Sequence, residues 1–332
     1  MGELPGSQAS PKKRDHLNIN KKSESSEISG LIPINKPRGM TSKDVSRVLI
    51  RRFGKIKLGH VGTLDPDADG VLPVLIGRAT KLQDYLLDLS KAYSFEMLLG
   101  IATDSLDATG KVIGECSWDH VTKDQVLKIL PNFIGQIKQI PPLYSAVKFK
   151  GKELYKYAHA GKTADDVPLD DLQRTVSVSR LTMDFCELPR IGFTVHCGKG
   201  TYVRTLAADI ADQLGTVAHV TKLTRTLSAG FSIESCINIE HASAASTLLK
   251  NIVRPIDSLE IGLREWIADD TLQIQRLVDG QHVVISGQPF SWVDEGLEHS
   301  VLAKSSSGKS VGILNVMLLP SGEIKLHMKR GL

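Results

Sequence analysis

One carboxylate lies in the most distinctive segment of the chain, which runs from Gly59 to Gly77 and reads GHVGTLDPDADGVLPVLIG. Asp65 stands in its glycine- and proline-containing first half, and the apolar second half has the composition of a β-strand. Loops of this kind lie at the surface and can hold a reactive side chain against a ligand, while the strand supplies rigidity. Because Asp-Pro is also an ordinary turn sequence, residue types alone leave two alternatives for Asp65, a nucleophile or a turn residue.

Other side chains with chemical potential lie outside this loop. Tyr202 and Arg204 belong to the segment CGKGTYVRTL, which begins at Cys197 and leads into a predicted helix. An arginine close to a carboxylate keeps it ionised and orients it through paired hydrogen bonds. By residue type alone, Arg204 also fits a solvated helix charge, Tyr93 a buried core tyrosine and His60 a structural histidine. The glycines on either side of His60 favour an exposed position for it.

The spacing of apolar residues predicts the elements that must position these groups. Thr41 and Asp44 form a capping-box pattern ahead of a first helix, and Thr122 begins another in the same way. Tyr93 lies on an alternating strand together with Phe95, Met97 and Leu99. The apolar positions of the predicted helices are Val45, Val48, Leu49, Phe53, Leu82, Tyr85, Leu86, Leu89, Val126, Leu127, Ile129, Leu130, Leu206, Ile210 and Leu214.

Strands and helices alternate irregularly, and hairpin-like turns replace regular βαβ units. This pattern predicts an α+β fold built on a mixed, largely antiparallel sheet flanked by helices. Residues 1–29 are polar and rich in Ser, Lys and Glu, so they are predicted to be a disordered tail. Residues 30–254 are predicted to form the main domain. Residues 255–332 are predicted to form a small β-rich domain, with short strands at His282–Ile285, Val301–Lys304 and Gly312–Met317.

Composition limits the classes of protein that remain. The chain has 332 residues, of which 41% are hydrophobic and 23% charged, and its net charge is +4, as in an ordinary and mildly basic globular protein. No apolar run is as long as a membrane span, and no signal-peptide core is present, so we expect a cytoplasmic protein without membrane contact. Four scattered cysteines, without a close pair, predict reduced, mostly buried thiols and no metal site: Cys116, Cys186, Cys197 and Cys236.

Two basic segments are candidates for contact with nucleic acid. One reads RRFGKIK from Arg51 and precedes the Asp65 loop. In the other, Lys148, Lys150 and Lys152 are interleaved with the aromatic residues Phe149, Tyr155 and Tyr157. Basic residues mixed with aromatic ones suit a phosphate backbone with exposed bases, although a solvated surface is the alternative for any lysine-rich run.

Four blocks of the sequence resemble, in the same order, the motifs of the TruB family of pseudouridine synthases. They are INKPRGMTS from Ile34, the Asp65 loop, IPPLYSAVKFKGKELY from Ile140 and the CGKGTYVRTL segment. The resemblance extends from about Leu31 to Asp257. It departs at Asp69, where the family more often has a small hydroxyl residue, and this adds a second negative charge near Asp65.

The resemblance implies the pseudouridine synthase fold, a reduced PUA-like RNA-binding domain at the C-terminus, and isomerisation of uridine 55 in the T-arm of tRNA. It implies that Asp65 is the nucleophile and that Arg204 pairs with it. Tyr93 would stack on the target base, with proton transfer as a further role open to it, and Tyr202 would pack against nucleophile and base. His60 would enter the RNA where the base was flipped out. Attack at uracil C6 and at ribose C1′ both stay open.

The reaction that the resemblance implies needs no cofactor, because isomerisation involves neither redox change nor a group donor. The expected partner is tRNA, with Lys148, Lys150 and Lys152 at the RNA, and no obligatory protein partner. Two alternatives are the catalytic subunit of a guide-RNA pseudouridylation particle and a non-catalytic tRNA-binding or tRNA-folding protein on the same fold. A short, weakly basic tail and a compact C-terminus disfavour the first, and the complete set of site residues disfavours the second.

Overall fold

The computed structural model describes residues 28–268, 270–286, 292–294 and 296–332. The predicted disordered tail at residues 1–29 therefore lies, except for its last two residues, outside the described residues. Within the described ranges the strands are β1 (Gly30–Lys36), β2 (Leu58–His60), β3 (Asp69–Ile76), β4 (Lys91–Leu99), β5 (Ile101–Thr103), β6 (Val112–Glu115), β7 (Gly135–Gln139), β8 (Lys148–Phe149), β9 (Lys152–Glu153), β10 (Arg174–Glu187), β11 (Arg190–Cys197), β12 (Ala218–Ser228), β13 (Phe231–Ser232), β14 (Ile237–Asn238), β15 (Arg254–Pro255), β16 (Arg264–Ala268), β17 (Val283–Ile285), β18 (Glu298–Ser305), β19 (Ser310–Leu318) and β20 (Ile324–Gly331).

The α-helices of the same ranges are α1 (Ser42–Phe53), α2 (Gln83–Asp88), α3 (Lys123–Ile129), α4 (Leu154–His159), α5 (Val203–Gln213), α6 (Ile239–Ser243), α7 (Leu249–Ile252) and α8 (Thr271–Val278). Short 3-10 helices lie at Gly77–Leu82, Leu130–Phe133, Ala164–Asp166, Leu169–Leu172, Ile233–Ser235 and Ile256–Ser258.

The large sheet has the strand order β14-β1-β3-β12-β4-β11-β10-β7, and β2, β13 and β15 pair alongside it. Its pairs are antiparallel except for β1 with β14 and β12 with β3, which are parallel. The prediction of an α+β fold on a mixed, largely antiparallel sheet is therefore confirmed. The parallel pair of β12 with β3 brings a distant part of the chain to the strand that follows the Asp65 loop.

Helix α1 begins where its sequence predicts. The Thr41 side chain accepts from the backbone N–H of Asp44, and the Asp44 carboxylate accepts from the backbone N–H of Thr41. This reciprocal capping satisfies two backbone donors that a helix start leaves free. Val45 and Leu49 are fully buried, so the amphipathic face packs on the sheet and fixes the start of the helix near the Asp65 loop. Gly54, with φ of 85°, ends the helix.

Strand β4 and helix α5 meet in the main hydrophobic core. Every second residue of β4 from Tyr93 onward is buried, which confirms the predicted alternation. Helix α5 buries Leu206 and Ile210 in the same cluster. This packing sets the start of α5, where Tyr202 and Arg204 lie, against the strand that carries Tyr93.

The C-terminal residues form a second sheet with the order β16-β18-β19-β20-β17 and its own apolar core. One face of this second sheet packs on the main body, because Leu302 and Ile313 share a cluster with Leu31 and Leu75. An ion pair of 2.9 Å between Arg330 and Asp84 lies at the same junction. The predicted β-rich C-terminal domain is therefore present.

The cysteines differ in part from the prediction. All four are free thiols, but only Cys197 is buried, Cys116 is exposed, and Cys186 and Cys236 are half-buried. The prediction of mostly buried thiols is wrong because the other three lie at a strand end or in loops rather than in apolar periodic positions. Across the described part of the chain, none of the helices has both the length and the apolar character that a bilayer crossing requires.

Candidate active site

Asp65 lies in the connection between β2 and β3, at the rim of the large sheet. A turn closes directly behind it, where the Ala68 N–H donates to the Asp65 carbonyl oxygen at 3.2 Å. The side chain faces a small open depression, whose other walls include Asp107, Arg204 and Leu223. With 42% of its side chain exposed, the carboxylate is accessible to a ligand that enters this depression.

Arg204 approaches Asp65 from the first turn of α5. Its Nη2 atom lies 2.9 Å from Oδ2 of Asp65, and its Nη1 atom lies 3.4 Å from Oδ2 of Asp107. The same guanidinium donates to the carbonyl oxygens of Ser105 at 2.6 Å and Tyr144 at 2.9 Å. Arg204 is 4% exposed, so these four acceptors fix its plane and its charge in the core. The alternative left open by the sequence, that Arg204 is a solvated charge on the helix surface, is therefore wrong.

The pKa of Asp65 is raised above its ordinary value. Partial desolvation by the protein atoms around the carboxylate is the main cause, because it penalises the charged form, and the negative charge of Asp107 acts in the same direction. Arg204 is the strongest opposing influence, and Lys36 adds to it. The sequence indicated Arg204 but not Asp107.

Three groups from other elements fix the backbone of the Asp65 loop. Ser42, at the start of α1, accepts from the Leu64 N–H at 3.1 Å and donates to the Leu64 carbonyl oxygen at 3.2 Å. Lys36 is fully buried, and its ammonium donates to three carbonyl oxygens, among them that of Pro66 at 3.3 Å. Burial lowers the pKa of Lys36 to about 8. These contacts hold the residues on both sides of Asp65.

Arg225 is the third of these groups and spans the loop from β12. It is 1% exposed and donates from Nε to the Val71 carbonyl oxygen at 2.7 Å and from Nη2 to that of Gly62 at 2.9 Å. Gly70 must be glycine here, because its φ is 100° and a Cβ would overlap the Arg225 backbone. The parallel pairing of Arg225 with Gly70 thus joins the two ends of the loop.

Tyr93 is largely buried on β4, with 9% of its surface exposed. Burial raises the pKa of its phenol, and the guanidinium of Arg225 partly opposes this shift. A raised pKa keeps the hydroxyl protonated, so Tyr93 is a hydrogen-bond donor at neutral pH. Tyr93 belongs to the same core cluster as Leu64, the neighbour of Asp65.

Tyr202 is the residue that precedes α5, and it is half-buried. The side-chain amide of Gln139 makes two hydrogen bonds to the Tyr202 backbone. Gln139 accepts from the Tyr202 N–H at 3.0 Å and donates to the Tyr202 carbonyl oxygen at 3.2 Å. The guanidinium carbon of Arg174 lies 4.7 Å from the centre of the Tyr202 ring. These contacts give the ring a defined place two residues before Arg204.

His60 and Asp69 flank the loop. His60 ends β2 and is half-buried, with a hydrogen bond of 3.1 Å between Nε2 and Oγ1 of Thr63, so the expected exposure is wrong in part. Asp69 begins β3, and its Oδ1 atom is buried without a hydrogen-bond partner among the described residues. Its negative charge raises the pKa of Lys36 against the effect of burial.

The predicted lysine group lies on a small hairpin of β8 and β9. Lys148, Lys150 and Lys152 are exposed. The Lys150 ammonium lies 5.1 Å from the Phe149 ring centre, and that of Lys152 lies 4.9 Å from the Tyr157 ring centre. The hairpin therefore presents cations beside aromatic faces, an arrangement suited to phosphates and exposed bases.

One arginine of the other basic segment, Arg52, has a different use. Arg52 donates to the carbonyl oxygens of Ala244, Ala245 and Thr247 at 2.8, 2.8 and 2.6 Å, and so caps the segment that follows α6. The interpretation of Arg52 as an RNA contact is therefore wrong. A basic run in the sequence does not distinguish a guanidinium that binds protein carbonyls from one that faces solvent.

Several site residues were missed by the sequence argument. Asp107 lies in the stretch TDSLDATG, whose density of Asp, Ser, Thr and Gly indicates an ordered polar turn. Its Oδ1 atom accepts from Ser105 and Thr109, which leaves Oδ2 for Arg204. Lys36 and Arg225 gave no local signal, because their roles depend on strands that are distant in sequence. In the described ranges, no cluster of three or more His, Cys, Asp or Glu side chains could hold a metal ion.

Two family models match consecutive parts of this chain. The profile of the TruB family pseudouridylate synthase N-terminal domain matches residues 50–203, and that of the tRNA pseudouridylate synthase B C-terminal domain matches residues 204–259. The tRNA pseudouridine synthase B of Bacillus subtilis (strain 168) is 37% identical over 287 residues, which cover 84% of this chain and 91% of the relative. The tRNA pseudouridine synthase B of Stutzerimonas stutzeri (strain A1501) is 37% identical over 292 residues, which cover 86% of this chain and 91% of the relative.

Solved structures share the fold at lower identity. A Cbf5-Nop10-Gar1 complex matches with a TM-score of 0.67 and 24% identity, over 91% of this chain and 84% of the other. An H/ACA RNP bound to a substrate RNA containing 2′-deoxyuridine matches with a TM-score of 0.66 and 21% identity, over the same shares.

The fold is that of the pseudouridine synthases, and the family matches and the relatives define an isomerase of the pseudouridine synthase class. Within that class, the chain belongs to the TruB family of pseudouridylate synthases.

Proposed function

We propose that this enzyme converts uridine 55 in the T-arm of tRNA to pseudouridine, with Asp65 as the nucleophile. The observation that carries the proposal is the Asp65 carboxylate, paired with Arg204 at 2.9 Å and open to a depression in the surface. The tRNA substrate is supported by the names of relatives that are 37% identical over most of their length. Position 55 is supported by the four motifs of the resemblance.

The reaction breaks the bond from ribose C1′ to uracil N1 and forms one from C1′ to C5. The C5 proton leaves and N1 gains a proton, so atoms balance without a second substrate. A carboxylate can assist by adding to uracil C6 or to ribose C1′, and both routes require Asp65 to be ionised. Arg204 favours that ionised form by lowering the pKa of Asp65 against the effects of burial and of Asp107.

The two tyrosines have separate roles in this proposal. Tyr93 keeps its proton because burial raises its pKa, so it can stack on the base and donate a hydrogen bond or a proton. Tyr202 packs against the other side of the base at the start of α5. A base inside a folded RNA arm must first leave its stack, which costs a few kcal/mol. His60, half-buried beside the loop, would occupy the gap that the base leaves.

The surface outside the depression provides most of the contacts with the RNA backbone. Lys148, Lys150 and Lys152 on the β8–β9 hairpin bind backbone phosphates, and the small C-terminal sheet acts as a PUA-like RNA-binding domain. No cofactor and no protein partner take part. The catalytic subunit of a guide-RNA particle is the alternative on the same fold. The H/ACA RNP and the Cbf5-Nop10-Gar1 complex that share the fold are 21% and 24% identical to this chain.

The test is an assay of the purified protein on an unmodified tRNA transcript, without guide RNA. The enzyme should form pseudouridine at position 55, and Asp65→Asn should abolish turnover while tRNA binding stays nearly intact, because the amide keeps the shape but not the charge. Asp124→Asn, at an exposed acidic position on α3, is the matched control and should retain full activity. A strict requirement for guide RNA, or appreciable single-turnover activity of Asp65→Asn, would refute the proposal.

A further inference from the structure

Tyr202 is held from two neighbouring strands. Gln139, the last residue of β7, pairs in register with Arg174, the first residue of β10. Gln139 brackets the Tyr202 backbone, and the Arg174 guanidinium covers the Tyr202 ring with its carbon 4.7 Å from the ring centre. Since Arg204 lies two residues further along the chain, Arg174 belongs to the immediate surroundings of the active site.

Part of the hydrogen-bonding capacity of Arg174 is unused within the described residues. Its Nε and Nη2 atoms are buried and have no hydrogen-bond partner among the described residues. The ion pairs found in the described ranges do not include Arg174 either. Arg204 and Arg225 differ in this respect, because carbonyl and carboxylate oxygens bind their guanidinium groups. Buried charged donors without acceptors are unfavourable, so an anion that reaches this position gains strong hydrogen bonds.

We propose that Arg174 binds a phosphate next to the target uridine and covers the Tyr202 ring only until RNA enters. This inference rests on the function proposed above. On RNA binding, the side chain turns from the ring to the phosphate, and the ring face it leaves becomes free for the base. A guanidinium suits this exchange, because its planar fork stacks on an aromatic ring and also binds two phosphate oxygens side by side.

A purely structural role is the competing explanation, in which Arg174 stays on Tyr202 and never contacts RNA. Both explanations predict that an Arg174 variant binds RNA less well. They differ in whether the loss depends on the charge of one particular phosphate. That dependence can be measured by changing the protein and the phosphate together.

The experiment uses Asp65→Asn as the background, so that RNA is bound but not converted. The probe is a T-arm stem–loop with a neutral methylphosphonate at the phosphate on the 5′ or the 3′ side of the target uridine. With Arg174 present, one of these replacements should weaken binding about tenfold, the effect of one charge-assisted hydrogen bond. With Arg174→Gln, the unmodified RNA should bind about tenfold more weakly, and the same replacement should have no further effect.

Arg180→Gln is the matched control, because Arg180 is an exposed arginine on the same strand. It should keep the full response to the methylphosphonate. Equal losses from the replacement with and without Arg174, or no loss at either phosphate with Arg174 present, would overturn the proposal. The effect of the methylphosphonates on binding with Arg174 present can be measured without any Arg174 variant. It therefore tests the proposal even if Arg174→Gln does not fold. Failure of the proposed function would be seen separately, as absence of pseudouridine with the unaltered enzyme.

Discussion

Replacement of Arg204 by lysine keeps the positive charge but removes the planar fork that reaches four acceptors at once. The Nη2 atom of Arg204 lies 2.9 Å from Oδ2 of Asp65 and donates to the Tyr144 carbonyl oxygen at 2.9 Å. The other, Nη1, serves the Ser105 carbonyl oxygen at 2.6 Å and Asp107 at 3.4 Å. A single ammonium group has three donors around one atom, so it cannot occupy both nitrogen positions.

The size of the effect follows from the hydrogen bonds that lysine cannot make. A hydrogen bond to a charged group contributes about 1.5–3 kcal/mol, so removal of the bond to Asp65 should reduce the single-turnover rate by roughly tenfold to a hundredfold. The lower part of that range is expected, because 42% of the Asp65 side chain is exposed and water can replace part of the missing interaction. Binding of tRNA should change little, since the guanidinium is directed into the protein.

The pH dependence gives a second and more specific result. Arg204 is the strongest influence that lowers the pKa of Asp65, against burial and Asp107, which raise it. A poorer partner stabilises the carboxylate less, so Asp65 in the lysine variant takes up its proton at a higher pH. The acid limb of the pH–rate profile should therefore move to higher pH, and part of the missing rate should return in alkaline buffer.

The assay is the single-turnover rate as a function of pH at saturating tRNA, for the unaltered enzyme and for Arg204→Lys. Arg190→Lys is the control, because Arg190 is exposed and its ion pair with Glu187 lies at a surface turn between β10 and β11. If Arg204 bound a phosphate instead, the variant would bind tRNA weakly and recover its full rate at saturation with an unchanged pH profile. That outcome would refute the ion-pair argument.

Three further changes test other parts of the site. Burial lowers the pKa of Lys36 from 10.5 to about 8, so between these pH values the unfolded chain holds more protons than the folded one. The unfolding free energy of the enzyme should therefore rise with pH in that window, relative to Lys36→Gln. Denaturant titrations should show a rise of at most about 3 kcal/mol. Simultaneous replacement of Lys148, Lys150 and Lys152 by glutamine should lower the slope of log affinity against log salt by about 0.7–0.9 for each phosphate that the hairpin no longer neutralises, and an unchanged slope would put the hairpin off the RNA path. Ser42→Ala should cost about 1–3 kcal/mol of stability and slow turnover more than it weakens binding, because two buried backbone groups beside Asp65 lose their partner; equal kinetics would show that this bond does not hold the loop.

Local patterns in the sequence predicted the elements that carry the site. The capping box at Thr41 and Asp44 marked the start of α1, because capping involves residues three apart and needs no distant partner. Alternation marked β4 and the buried side of Tyr93 for the same reason. Asp65 was found through a long motif, in which Gly70 is required by the close contact of the loop with β12.

The partners that tune Asp65 could not be predicted, because the register of distant strands determines them. Asp107 reaches Arg204 because its backbone bridges to Val220 on β12, more than a hundred positions later. Arg225 reaches the loop because β12 runs parallel to β3 at that point. No pattern within a short window specifies either pairing. Arg52 shows the same limit, since its carbonyl partners lie nearly two hundred residues away.

The cations around the Asp65 loop separate into two kinds, and the separation follows from their acceptors. Lys36, Arg204 and Arg225 are buried, and each is bound by backbone carbonyl oxygens, so their charges hold a surface loop rigid while its carboxylate stays open to solvent. Such cations are already satisfied and have little to offer a substrate phosphate. Arg174 lies in the same region with two nitrogen atoms that lack acceptors among the described residues, so its hydrogen bonds are ones that a bound RNA can complete. Unsatisfied donors, rather than charge alone, therefore distinguish a guanidinium available to the substrate from one that supports the catalytic loop.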